Sequence, residues 1–242
     1  GEKIIRDFGM WPEPDIEEGW KEKDFDEYVE EAKVEYKDKI TNGCFAPWMM
    51  YKKDFIFIGG HDPRFASARE DSDVFNRLVL GGFELIQSWQ SFVYHLTARG
   101  GQFQHGKLTK DHSQKSEEWQ KLMNNSTREF FRKWGSSVNH DALMMPIISP
   151  KYDIGFVVHN IHNYNVLHSL EPWCSTFYGN FPKDLLLMYI RDEQPNTTRN
   201  LKEKVQPLAN EKNNDILVEF DSVKLTNESF NFLTQLIFIL SL

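Results

Sequence analysis

The sequence predicts an α/β protein, a mixed sheet with flanking helices followed by a smaller α/β unit, on three observations. After residue 150, apolar runs rich in β-branched and aromatic residues alternate with helix-periodic stretches. Within residues 116–134, Trp119, Leu122, Met123, Phe130 and Trp134 recur at helical spacing, and Gly135 supplies a stop. Earlier, the apolar run Phe55-Ile56-Phe57-Ile58 meets Gly59-Gly60. A polar loop follows, then a helical pattern with Val74, Phe75, Leu78 and Val79 on one face.

In chain order, residues 1–20 are turn-rich, interrupted by Pro12, Pro14 and Gly19. Residues 21–40 read as an acidic-basic helix with Phe25, Tyr28, Val29 and Ala32 on one face. Residues 44–53 read as an aromatic strand leading to the glycine loop, and residues 55–58 as a second apolar strand. Asp71, Ser72 and Asp73 suit a helix start, where side-chain oxygens accept free backbone N–H groups. Residues 83–89 and 91–95 read as strands, and residues 100–115, with His105 and His112, as a polar loop and candidate lid. The aromatic stripe of residues 116–134 reads as core. A boundary near Pro150 divides the chain into domains 1–150 and 151–242. The second comprises strands at 153–160, 175–178 and 215–220, helices near 166–170 and from Pro182, and an apolar terminal helix from Phe230.

Lys plus Arg is 28 and Asp plus Glu is 36, a net charge of −8. A phosphate-backbone binder needs a basic face, so no nucleic-acid partner is expected. Cys44 and Cys174 form neither a metal knuckle nor a disulfide framework, and a cytoplasmic location is the default. No apolar stretch is long enough for a transmembrane segment. His159, His162 and His168 have no carboxylate or cysteine at ligand spacing, which argues against a metal there.

The stretch from Gly59 to Leu78 organises the rest. Its glycine pair, polar loop, Arg69-Glu70-Asp71-x-Asp73 string and amphipathic helix ending at Gly81-Gly82 resemble the acceptor-side segment of inverting glycosyltransferases of family two, which have the GT-A fold. Phe92-Val93-Tyr94-His95 resembles the family strand that ends in a metal-associated histidine. Phe130-Phe131-Arg132-Lys133-Trp134-Gly135 resembles its closing Phe-x-x-Lys-Trp-Gly. The resemblance covers roughly residues 40 to 140.

The resemblance implies a partial GT-A-like sheet, with Asp71 as general base, Glu70 beside it, and Gly59, Gly60 and His61 lining the acceptor site. It also implies a nucleotide-sugar donor, a UDP-sugar foremost, a glycan or other hydroxyl acceptor, and Mn²⁺ or Mg²⁺ with His95 as ligand. Arg69 is placed to balance the charge of the carboxylate pair. Trp48 is a candidate to stack on a sugar ring, or a core residue. Asp24-Phe25-Asp26 spells the family's metal-binding string, but it opens a helix instead of ending an apolar strand, and reads as a helix start. No strand series precedes Phe55, so the expectation is a truncated or split transferase whose nucleotide-binding half a partner chain could supply. A non-catalytic carbohydrate-binding or assembly module of the same fold is the alternative. A metal-dependent hydrolase would rest on scattered histidines alone.

Overall fold

The alternation expected after residue 150 is present as a four-stranded parallel sheet. The structure is a computed structural model that describes residues 8, 21–44, 46–66, 68–94 and 117–241. Strands β3 (Ile154–His159), β4 (Thr176–Gly179), β5 (Val205–Pro207) and β6 (Ile216–Asp221) pair in the order β5-β4-β3-β6. β3 aligns Ile154 with Ile216 on one side and Gly155 with Thr176 on the other. It is the central strand, and residues 154–158 are all buried, as a parallel strand covered on both faces requires. The edge strand β6 instead alternates partly buried with exposed positions, the pattern of a half-covered strand.

Helices flank this sheet: α5 (Tyr164–Leu170), α6 (Lys183–Glu193), α7 (Leu201–Lys204), α8 (Asn227–Thr234) and α9 (Leu236–Leu240). Asn163 caps α5 by accepting from the Asn165 N–H, and Thr226 forms a capping box with Ser229 at α8. Phe156, Val158, Leu167, Leu170, Phe177 and Tyr189 anchor the core. The terminal apolar run expected as one helix is two. At Gln235 the N–H groups turn back to the carbonyls of Asn231 and Phe232, and Leu233, Leu236 and Ile237 still reach the core.

The chain sorts into two compact units, and one cut near Pro150 does not separate them. One unit comprises Gly1–Gly60, Val74–Lys121 and Asn139–Ile147; the other comprises His61–Asp73, Leu122–Val138 and Ile148–Leu242. The physical reason is that two continuous helices, α3 (Glu70–Leu80) and α4 (Glu117–Trp134), each carry the chain across the division.

The first unit holds α1 (Glu22–Glu35), α2 (Lys52–Phe57) and the antiparallel pair β1 (Ile40–Asn42) and β2 (Ile86–Ser88). Trp89 is buried there, its ring 4.9 Å from Tyr36 and its Nε1 donating to Thr41 Oγ1. The strand expected at residues 55–58 is a helix. A four-residue apolar run fits either period, and its C-terminus decides for helix. The N–H of Gly60 bonds to the Phe55 carbonyl at 2.8 Å and that of Gly59 to Ile56 at 2.9 Å, a Schellman cap with both glycines at positive φ. The expected strand at 44–53 is likewise absent: residues 46–51 are irregular before α2 begins. Of the strand expected at 83–89 only Ile86–Ser88 pairs, and residues 91–94 are irregular. Asp24 lies in the first turn of α1, where its charge suits the helix dipole, although no side chain caps that helix by hydrogen bond.

Candidate functional site

Five side chains close the polar loop of residues 61–73 on itself, all within the second unit. Asp62 accepts the backbone N–H of Arg64 at 3.1 Å and its Nε at 2.9 Å, an aspartate turn sealed by a guanidinium. The Arg64 hydrogen bonds, assisted by Lys133, hold the Asp62 carboxyl well below the usual carboxylate range against the opposing effect of burial. Lys133 Nζ lies 2.7 Å from Asp62 Oδ2 and 2.6 Å from Asp73 Oδ1. Trp134 Nε1 donates to Asp73 Oδ1 at 2.9 Å, and Asp73 is fully buried. One lysine thus ties the two ends of a loop that is adjacent in sequence to neither.

Between those ends the backbone takes an uncommon path. Ala68 has φ 64° and Arg69 φ 70°, two consecutive non-glycine residues in the left-handed region. Each costs about 1–2 kcal/mol, and such strain persists only where surrounding contacts over-determine it. Arg69 is held by donating from Nε to Thr127 Oγ1 at 3.3 Å. The strained pair delivers Glu70 and Asp71 to the first turn of α3. Among the described residues no hydrogen bond or ion pair engages the Asp71 side chain, and Glu70 Oε2 is shut off from solvent without a partner. Ala68→Gly removes one side chain from a position only glycine takes without penalty. We expect it to stabilise the fold by about 0.5–1 kcal/mol, read by urea denaturation.

The remaining expected site residues are distributed as follows. His61, Arg69, Glu70 and Asp71 belong to the second unit, whereas Trp48, Gly59 and Gly60 belong to the first. The exposed His61 opens the loop. Trp48 is partly buried, with ring contacts to Phe55 at 6.2 Å and Phe75 at 5.9 Å. His95 and the candidate lid at residues 100–115 lie outside the described residues. Among the described residues no group of three or more His, Cys, Asp or Glu side chains could hold a metal ion.

The sequence reading missed a second polar assembly. Helix α4 was expected to bury its aromatic stripe, and Phe130 is buried, but Leu122 is 39% exposed, and Arg128, Glu129 and Arg132 are buried instead. Arg132 grips Glu171 through Nε, at 3.1 Å to both carboxylate oxygens, and through Nη2 at 2.6 Å to Oε2. It also bonds Glu129 at 2.7 Å and Glu193 at 2.6 Å. Arg128 reaches Glu193 at 2.8 Å, the Tyr189 hydroxyl at 3.1 Å and the His168 carbonyl. Lys204 at 2.6 Å, Tyr189 at 2.8 Å and Arg128 Nη2 at 3.4 Å complete the shell of Glu171. Burial alone would push the Glu171 carboxyl up; Lys204 and Arg132 reverse this and hold it far below the ordinary range. Three cations meet three carboxylates, so the assembly is neutral. It locks α4 to α5, α6, α7 and the turn at Glu171–Trp173, which makes it a structural keystone. The only sequence signal was that Arg132 follows Glu129 by three residues and Arg128 by four, spacings that share one helix face.

No family model, no curated protein and no solved structure matches this chain.

Proposed function

We propose that the chain is a nucleotide-sugar-dependent glycosyltransferase of the family-two kind, built on a GT-A-like fold, with Asp71 as general base. The observation that carries this reading is the Lys133–Trp134 clamp. It joins the Phe130–Gly135 string to Asp62 and Asp73, the flanks of the loop that presents Glu70 and Asp71. Those two strings were singled out separately in the sequence, and through this clamp one holds the other.

In the reaction an acceptor hydroxyl oxygen attacks the anomeric carbon of the donor sugar. The bond from that carbon to the nucleoside diphosphate breaks, the diphosphate leaves, and the configuration inverts. The hydroxyl proton passes to a carboxylate oxygen of Asp71, whose side chain has no competing partner among the described residues. Glu70 flanks the acceptor, and Arg69 offsets the charge of the pair. A divalent cation, Mn²⁺ or Mg²⁺, would stabilise the charge gathering on the leaving diphosphate. His95 is its candidate ligand from the resemblance.

The test is incubation of the purified chain with UDP-sugars and a panel of glycan acceptors, with and without Mn²⁺, reading product mass and anomeric configuration. Inverted product supports the proposal. Failure to transfer any sugar, together with failure to bind UDP by calorimetry, overturns it. Glycan binding that needs no nucleotide and survives Asp71→Asn would instead mark a carbohydrate-binding module.

A further inference from the structure

Helix α2 buries no residue, although Phe55, Ile56 and Phe57 make up half of it. It is nevertheless held in place. The Phe55 ring lies 6.2 Å from that of Trp48, the Gly59-Gly60 cap closes the C-terminus, and Arg77 of α3 donates from Nη1 to the Ile58 carbonyl. At about 100° per residue, Lys52, Ile56, Lys53 and Phe57 follow one another within a single arc of about 140°, and Asp54 and Phe55 fall outside it.

Every residue of that arc is exposed, Ile56 at 63% and Phe57 at 73%, and so is Tyr51, which precedes the helix, at 76%. Contacts within the same unit set these side chains in position. Phe57 meets Phe83 edge-on with ring centroids 6.1 Å apart, and Lys53 Nζ lies 5.7 Å from the centre of the Tyr51 ring. Among the described residues no carboxylate pairs with Lys52 or Lys53. Exposed apolar residues scattered singly are ordinary. Here two large apolar side chains alternate with two unpaired cations on one fixed face, and a tyrosine stands at its end.

We propose that this face of α2 docks on an anionic lipid surface, with Tyr51, Ile56 and Phe57 entering the headgroup region and Lys52 and Lys53 meeting acidic headgroups. A helix face that combines basic with large apolar residues is the form such peripheral contacts take, and tyrosine suits the boundary between water and lipid. The lysine stems lie along apolar surface while their ammonium groups stay in the polar layer, so the two kinds of side chain do not compete. A protein partner fits less well, because lysine is depleted from the buried centre of protein interfaces. A second copy fits least: a two-fold contact through this face sets Lys52 and Lys53 against their own counterparts. The net charge of −8 does not forbid the contact, since screening limits it to charges within about 10 Å of the surface. The docking is independent of the proposed transfer chemistry.

The experiment is co-sedimentation of the full chain with vesicles of phosphatidylcholine alone and of phosphatidylcholine mixed with phosphatidylserine, at low and at physiological ionic strength. The expected result is binding to the mixed vesicles that falls with salt. It is weakened about ten-fold or more by Lys52→Gln with Lys53→Gln, and as much by Ile56→Gln with Phe57→Gln. Lys183→Gln and Val223→Gln, at exposed residues of the second unit, are expected to bind as the parent does. Circular dichroism checks that each variant is folded, and if the apolar pair is not, Ile56→Gln alone takes its place. Sedimentation no greater with the mixed vesicles than with phosphatidylcholine, or binding unchanged in either folded double variant, overturns the proposal. A parent that is dimeric by analytical ultracentrifugation, and monomeric once Ile56 and Phe57 are replaced, also overturns it and assigns the face to a second copy.

Discussion

If Asp71 is the base of the proposed transfer, Asp71→Asn is expected to lower its rate by about 10²–10⁴-fold, the usual contribution of a positioned general base. The substitution keeps the size of the side chain and its place in the first turn of α3 but removes the carboxylate proposed to accept the proton. No hydrogen bond or ion pair in the described residues depends on the Asp71 carboxylate, so the melting temperature should stay within a few degrees of the parent. Binding of UDP should also be unchanged, which separates loss of chemistry from loss of donor. Asp73→Asn gives the contrasting result. It strips the charge that meets Lys133 in a fully buried position, so stability falls together with activity. If Asp71→Asn retains full activity while Glu70→Gln loses it, the base is Glu70. If both retain it, the carboxylate pair has no part in the chemistry.

Glu171→Gln destabilises the fold by about 3–5 kcal/mol, read as a fall in the urea midpoint. The cost arises from what it strands: Arg132 and Lys204 remain buried with one carboxylate too few. The pH dependence has the same origin. Glu171, Glu193 and Asp62 all have folded carboxyl values below their ordinary ones. Depressed carboxyl values contribute stability that is present above the unfolded pKa and lost as pH falls through the window down to the folded value. Stability should therefore hold above the ordinary glutamate value of 4.5 and fall steadily below it. Below that point the unfolded chain binds protons that the folded chain refuses. Glu171→Gln should flatten this acid limb. A variant as stable as the parent, with the same acid limb, would show that the network does not hold the unit together.

The sequence by itself determined the elements whose signal is local. Residues 154–159 carry a run rich in β-formers that reads as a buried strand between turns, and β4 and β6 follow the same rule. Helix α4 follows from period alone, and the acidic start of α3 from the chemistry of free N–H groups. Two strings of the candidate site were also legible, because residue types at fixed spacing survive without coordinates.

Local signal failed where two conformations share one pattern. The run at residues 55–58 satisfies a strand and a helix equally, and Gly59-Gly60 ends either; only the hydrogen bonds to Phe55 and Ile56 decide for the helix. The tertiary structure alone decided the partners of charged residues. Nothing in the turn around Glu171 announces that it gathers three cations and a tyrosine hydroxyl, because those partners lie 18 to 43 residues away. Exposed and buried glutamates have the same letter in a sequence. Burial, which multiplies the worth of every charge and the penalty for every unpaired one, exists only once the chain has folded. For that reason the backbone pattern could be read from residues 150–242, while the clamp on Asp62 and Asp73 and the network around Glu171 could not.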